Sequence, residues 1–102
     1  MVINEHLSGK ELRLALDGNF DENSSPAVEK RIEEILKWDI HTVLFDMSRV
    51  HYISSIGIRV LILAHKKAVK CGKRIVIGDM SAKAKEVLEM VGVLPLFGSG
   101  GE

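Results

Sequence analysis

The chain has little of what would make it a disulfide scaffold, a metal protein or a membrane span. It holds one cysteine, Cys71, among 102 residues. A single thiol excludes an internal disulfide and gives no metal-ligand spacing, so no metal is expected and a reducing cytoplasm fits. Residues 60–64 form the longest apolar run, far too short for a bilayer, so no membrane insertion is expected. The N-terminus has no charged stretch leading into an apolar one, which argues against a secretory leader. An excess of either charge is missing too, because 14 basic and 14 acidic side chains cancel. No global field therefore draws the chain to nucleic acid or to an anionic surface.

What is present suits a globular domain. Hydrophobic residues make up 46% and charged residues 27%, ordinary values for a chain with one modest core. Residues 2–7 are a weak strand candidate, Ser8-Gly9-Lys10 a turn, and residues 11–16 alternate polar and apolar. Together they predict an edge hairpin, ended by turn chemistry at Asp17-Gly18. Asn23, Ser24 or Ser25 can cap a first helix, with Pro26 in its first turn. Val28, Ile32, Ile35 and Leu36 give that helix one apolar face, and Trp38 at its end is expected in the core.

Residues 42–45 are a short apolar run of the kind found in interior strands. A polar loop, residues 46–55, then leads into a helix starting at Ser55 that is apolar on most sides as far as Ala64. Lys66, Lys67 and Lys70 occupy its last turns, and Gly72 suits its C-terminal stop. Residues 74–77 read as a further strand, ended at Gly78-Asp79. Ser81 caps a third helix faced by Ala84, Val87, Leu88 and Val91, and Gly92 stops it. Residues 93–97 can form a short extended segment. The domain is expected to span residues 1–97, with residues 98–102 as a flexible tail. Hairpin, helix, strand, helix, strand, helix is the pattern of an α/β domain whose sheet is mostly parallel with one antiparallel edge.

Functional loops of such sheets gather at the carboxyl ends of the parallel strands. Residues 19–25, 46–55 and 79–81 are the loops concerned. Ser54 and Ser55 fall at the start of the apolar helix, where backbone N–H groups are unpaired and the dipole is positive. Either serine can be a plain N-cap, and a hydroxyl there equally suits addition of a phosphate. Asp21, Glu22, Asp46 and Asp79 are expected nearby as an acidic rim, although each can simply close a turn.

Enzyme chemistry finds weak footing. Ser55-Ile56-Gly57 is half of a nucleophile elbow, but Ile53 stands where the preceding glycine is required. His6, His41, His51 and His65 lie in no recognisable catalytic motif. Gly72-Lys73 lacks the earlier glycine of a P-loop, and Arg74 follows where Ser or Thr should. No catalytic residue and no cofactor is expected. Lys66, Lys67, Lys70, Lys73 and Arg74 cluster at one helix end, without interleaved aromatics to stack bases, so no nucleic-acid partner is expected.

The order of residues points further. Asp46-Met47-Ser48, then Tyr52-Ile53-Ser54-Ser55-Ile56-Gly57-Ile58, then Val60-Leu61, resembles the signature of STAS domains, in particular the bacterial anti-sigma factor antagonists. Asp17-Gly18-Asn19-Phe20-Asp21 is similar to that family's turn before the first helix. The family pattern is Asp-Leu-Ser, a loop, an aromatic, an apolar residue, Asp-Ser-(Ser, Thr or Ala)-Gly-Leu. Its phosphorylated serine falls on Ser55, its glycine on Gly57, and its acidic residue on Ser54.

The resemblance implies a mixed, mostly parallel sheet of four to five strands with an N-terminal β-hairpin and three helices, lacking the family's usual final helix. It implies a non-enzymatic, cytoplasmic regulator of transcription. When unphosphorylated, such a protein binds an anti-sigma factor that is itself an ATP-using serine kinase, and so frees a sigma factor. Phosphorylation of Ser55 would switch it off. Asp21, Ser54, Ile56, Gly57 and Arg59 would contact the partner, and the chain would be a monomer or weak dimer. The alternative within the resemblance is a docking subunit of a lipid-transport or stress-sensing assembly without a sigma-factor role.

Overall fold

Period-two alternation builds one buried face. In the computed structural model, which describes residues 1–99, β1 (Val2–Ser8) and β2 (Glu11–Phe20) pair antiparallel as a hairpin. There follow α1 (Ser25–Ile35), β3 (Thr42–Ile53), α2 (Ser55–Lys70), β4 (Arg74–Met80) and α3 (Ala82–Met90). A 3-10 turn, Leu94–Leu96, takes the place of the expected extended segment and leads into β5, Gly98–Ser99. The sheet runs β1-β2-β3-β4-β5, antiparallel across the hairpin and parallel elsewhere, and is therefore mixed. Gly98 and Ser99, expected as the start of the tail, pair with Val76 and Ile77. The rest of that tail, residues 100–102, lies outside the described residues.

Leu12, Leu14 and Leu16 of β2, Val43 and Phe45 of β3, and Ile75 and Ile77 of β4 alternate onto one face. Val28, Ile32 and Ile35 of α1, Leu61, Ala64 and Ala68 of α2, and Ala84 and Leu88 of α3 join the same cluster. Each large side chain buried there contributes roughly 1.5–3 kcal/mol. Arg13, Ala15, Leu44, Asp46 and Val76 alternate to the other face and stay outside that cluster.

Three strands are longer than expected. β2 passes through Asp17-Gly18 to Phe20, β3 runs to Ile53, and β4 passes through Gly78-Asp79 to Met80. Residues 46–53 are thus strand, not loop. Asp17 pairs with Arg49, Gly18 with Val50, Asn19 with Tyr52 and Phe20 with Ile53, with register shifts between Ala15 and Asp17 and between Gly18 and Asn19. Such bulges let a polar stretch stay in the ladder while losing strict alternation.

Trp38 is also corrected. It is 38% exposed, and the Arg31 guanidinium lies 5.0 Å from its ring centroid. Arg31 reaches Glu5 as well, with Nη2 2.7 Å from Oε1, and so ties α1 to β1. That hydrogen bond holds the Glu5 carboxyl below its usual value, against a smaller opposing effect of burial. Val91, expected on the apolar face of α3, is 48% exposed.

Two members of the basic cluster, Lys67 and Lys73, make structural bonds. Lys67 Nζ lies 2.5 Å from Glu33 Oε1, joining α1 to α2. Lys73 Nζ donates to the carbonyls of Leu36 at 2.5 Å and Trp38 at 2.6 Å, closing the end of α1. Gly72, at φ +73°, makes the left-handed stop after α2.

One buried group is left unsatisfied at the start of α1. Ser25 is 2% exposed and its Oγ has no hydrogen-bond partner. A buried hydroxyl without a partner carries a desolvation cost of about 1–3 kcal/mol, and Ala is the better helix former. Ser25→Ala is therefore expected to raise stability by about 1 kcal/mol, read as a higher urea midpoint at unchanged slope. A lower midpoint would mean that the hydroxyl does hold a bond in solution.

Candidate functional site

The junction of β2, β3 and α2 is built around a carbonyl. Phe20 is fully buried and ends β2 opposite Ile53, the last residue of β3. The next backbone N–H, that of Ser54, donates to Phe20 O at 2.9 Å. Ser54 is extended, with φ −87° and ψ 170°, and its Oγ accepts from the Gly57 N–H at 3.2 Å. Ser54 is therefore the N-cap of α2, which assigns the plain capping role to one of the two serines.

Gly57 is buried against the same carbonyl. A Cβ there would lie 2.6 Å from Phe20 O and 3.1 Å from the Phe20 ring. Only glycine lets α2 sit this close. Ser55, the first residue of α2, is exposed. Around it Ile56 is 44% and Tyr52 48% exposed, Arg59 is exposed, and Ile53 is buried. No acidic side chain lies in the first turn of α2, whereas Lys67 and Lys70 lie in its last turn. The positive end of the helix dipole is left open beside Ser55.

Asp21 follows Phe20 directly and so borders this junction. Its Oδ1 accepts from the N–H groups of Asn23 at 3.0 Å and Ser24 at 3.2 Å. Ser24 is the N-cap position of α1 but makes no capping bond. Its hydroxyl instead donates to Asn19 O at 2.7 Å and accepts from the Asp21 N–H at 3.0 Å. These bonds make the turn before α1 a self-satisfied unit that follows directly on Phe20. Glu22 and Asn23 are exposed on it.

The expected acidic rim does not form as a unit. Asp46 alternates to the sheet face away from the core, is 9% exposed, and pairs with Arg13. It also accepts from the Ser48 N–H at 3.0 Å and the Ser48 hydroxyl at 2.7 Å. Burial pushes its carboxyl up, but Ser48 and Arg13 together outweigh that and hold it below the usual value. Arg13 is raised, chiefly by its hydrogen bond to Asp46, with a further contribution from the charge of Asp79. Asp46 and Asp79 thus act on Arg13, and Asp21 is engaged by the N–H groups of its own turn. The strand extension beyond Phe45 is the physical reason, because it carries Asp46 back into the sheet.

Asp46 and Arg13 line a groove of about 430 Å³ with Asn4, His6, Asp17 and Arg49, which sequence reasoning did not single out. The signal was present in the alternation of β2, which puts Arg13, Ala15 and Asp17 on one face. His51 Nε2 lies 4.0 Å from Asp17, and His65 packs edge-on against Phe97 at 5.6 Å. Among the described residues no group of three or more His, Cys, Asp or Glu could hold a metal.

Two expectations follow. Gly57→Ala should destabilise by about 1–3 kcal/mol through overpacking, although the same change at an open helical position stabilises by about 0.5–1 kcal/mol. A urea titration reads the sign. Asp46, with its carboxyl held below the ordinary 3.8, contributes stability that is complete above that value and is lost as pH falls through the folded-state value. Asp46→Asn should therefore flatten the loss of stability on the acid side between about pH 5 and pH 2, followed by circular dichroism.

Comparison with known proteins agrees with this architecture. The sequence profile described as the STAS domain matches residues 3–100. A Bordetella bronchiseptica protein, BtrV, provisionally named an anti-sigma factor antagonist, is 34% identical over 55 residues, 54% of this chain. The match spans 47% of that relative's length. Among solved structures, the anti-sigma factor antagonist SpoIIAA in its unphosphorylated form superposes with a TM-score of 0.83 at 13% identity, covering 97% of this chain and 88% of that one. An anti-sigma factor antagonist from Mycobacterium paratuberculosis gives 0.85 at 16% identity, covering 96% and 83%. SpoIIAA of Bacillus in its phosphorylated form gives 0.75 at 13% identity, covering 97% and 91%. With the profile running from the hairpin to the end of the described sheet, the chain belongs to the STAS domain family and has the fold of anti-sigma factor antagonists.

Proposed function

We propose that this chain is an anti-sigma factor antagonist whose association with its partner is controlled by phosphorylation of Ser55. The observation that carries the proposal is the division of labour between the two serines. Ser54 holds the helix, and Ser55 stands exposed on the positive end of α2. Phosphate at Ser55 adds roughly −1.5 to −2 charge. The helix terminus offsets part of it, so the fold tolerates the modification. A partner covering Ile56, Arg59 and the Asp21 turn would meet a desolvated anion.

Ile56 supplies an apolar contact and Arg59 a charged one, with Ser54, Gly57 and Asp21 fixing the surface they stand on. The partner is an anti-sigma factor that is also a serine kinase. ATP belongs to that kinase, and this chain needs no cofactor of its own. The proteins it resembles by name are regulators, and binding rather than turnover is the activity proposed. Among the described residues no helix is long and apolar enough to cross a membrane. A cytoplasmic site of action is part of the proposal.

The test is a pull-down from the native cell with Ser55→Ala and Ser55→Asp proteins, read by mass spectrometry. A kinase-like anti-sigma factor should be held by the Ala form and lost from the Asp form. Equal recovery by both would overturn the switch, and recovery of transport or stress-particle subunits instead would favour a docking subunit. Phosphorylated protein should melt within about 5 °C of the unmodified form, since the local charge effect is on the order of 1 kcal/mol. A much larger drop would mean that phosphate acts by unfolding.

A further inference from the structure

The free edge of the sheet is built to accept a strand. β1 spans seven residues, Val2–Ser8, and among the described residues it is paired on one side only, with β2. Its register with β2 is unbroken from Val2 to Ser8. Edge strands are commonly blunted by a proline, a bulge or an inward-pointing charge. Val2–Ser8 has no proline and no bulge, and its one charge on the helix-covered face, Glu5, is already held by Arg31 of α1. Val2 is 58% and Leu7 54% exposed, so the edge is also more apolar than a solvated margin needs.

The sequence of the edge is nearly symmetric about Glu5. Ile3 and Leu7 flank it at two residues, and Asn4 and His6 at one. A strand with that symmetry matches an antiparallel copy of itself, because full overlap brings Ile3 opposite Leu7, Asn4 opposite His6 and Glu5 opposite Glu5. Directly opposed apolar pairs stabilise a ladder and opposed like charges oppose it. Here each Glu5 already holds an Arg31 guanidinium of its own chain, so the central pair is two neutralised ion pairs rather than two bare anions.

We infer that β1 is a homodimerisation edge, at which two copies pair antiparallel in the register that centres on Glu5 and form one ten-stranded sheet. The twofold axis is perpendicular to the sheet, so the contact is self-complementary and closed. Strand addition of this kind draws its affinity from main-chain hydrogen bonds and its register from the side-chain pairs. The two Ser55 faces lie at opposite ends of the combined sheet, because the strands of the two copies run in opposite directions. Both stay open to partners. A seven-residue strand gives a small interface, so the dimer is weak and concentration-dependent.

Light scattering coupled to size exclusion reads the mass between about 5 and 500 µM, the range in which so small an interface should titrate. The mass is expected to rise from one chain toward two, and Leu7→Lys to raise the dissociation constant at least about tenfold by placing a charge on the edge. Leu96→Lys, at another exposed apolar position, is the control expected to change nothing. Register is read by cross-linking in a Cys71→Ser background. Asn4→Cys and His6→Cys proteins should form disulfide dimers when mixed and not when separate, since the opposed positions come within disulfide reach only across the pair. A constant monomer mass overturns the inference. So does a dimer that Leu7→Lys leaves intact, or one in which either cysteine protein cross-links alone as readily as the mixture.

Discussion

One close approach organises this molecule: the first turn of α2 resting on the carbonyl of Phe20. The Ser54 N–H bonds that carbonyl, and Gly57 passes over it where a methyl group would meet it at 2.6 Å. Phe20 itself cannot give way, since its ring is fully buried and its backbone is paired with Ile53. The start of α2 is therefore fixed by the sheet and not by the helix alone. With Ser54 held there, its hydroxyl reaches the Gly57 N–H, and the next hydroxyl, on Ser55, is turned outward. A glycine that cannot be replaced and a serine that cannot be hidden are two consequences of the same contact.

Charge is arranged around this contact in a way that the neutral total conceals. The low carboxyl of Asp46 is spent on Arg13 across the sheet face, and lysines gather at the helix C-termini, where Lys73 and Lys67 make specific bonds. The N-terminus of α2 receives no acidic neighbour from its own first turn. The start of α2 therefore carries no compensating carboxylate of its own next to the exposed Ser55. An anion introduced there meets unpaired N–H groups and a favourable dipole, which lowers its local cost. The same anion facing a dry interface would have to lose its water, and that desolvation is the larger effect. Under the proposed switch, local tolerance and remote repulsion together would give a change in association without a change in fold.

Much of this was legible in the residues, and the misses share a cause. The hairpin, the three helices, a serine cap on α2 (either Ser54 or Ser55, and Ser54 in the structure), the cap at Ser81 and the stop at Gly72 follow from local chemistry, whereas the expected cap of α1 makes no capping bond. Strand ends did not follow, because turn-forming residues such as Asp17-Gly18 and Gly78-Asp79 were held in the ladder by neighbouring strands. Bulges between Ala15 and Asp17 and between Gly18 and Asn19 absorb the broken alternation, and no local rule places them. Once β3 was read as ending at Phe45, Asp46 was placed in a loop beside Ser55. The longer strand moves it to the opposite face. Trp38 was misplaced for a related reason: the Arg31 guanidinium, about two turns earlier, covers its ring, so it packs without entering the core.

The serine at position 54 bears on how strong a switch this surface can make. The family pattern has an acidic residue there, and aspartate and serine are both good N-caps. Serine keeps the bond to the Gly57 N–H and removes a negative charge next to the modified hydroxyl. An acidic cap would already neutralise part of the helix end and would repel an incoming phosphate. With serine, no carboxylate of the cap or first turn would compete with a phosphate, so it would be better tolerated in the free chain. On the proposed reading, the contrast between free and bound environments would be carried by the partner's surface, and specificity would rest more on Ile56, Arg59 and the Asp21 turn than on charge stored at the cap.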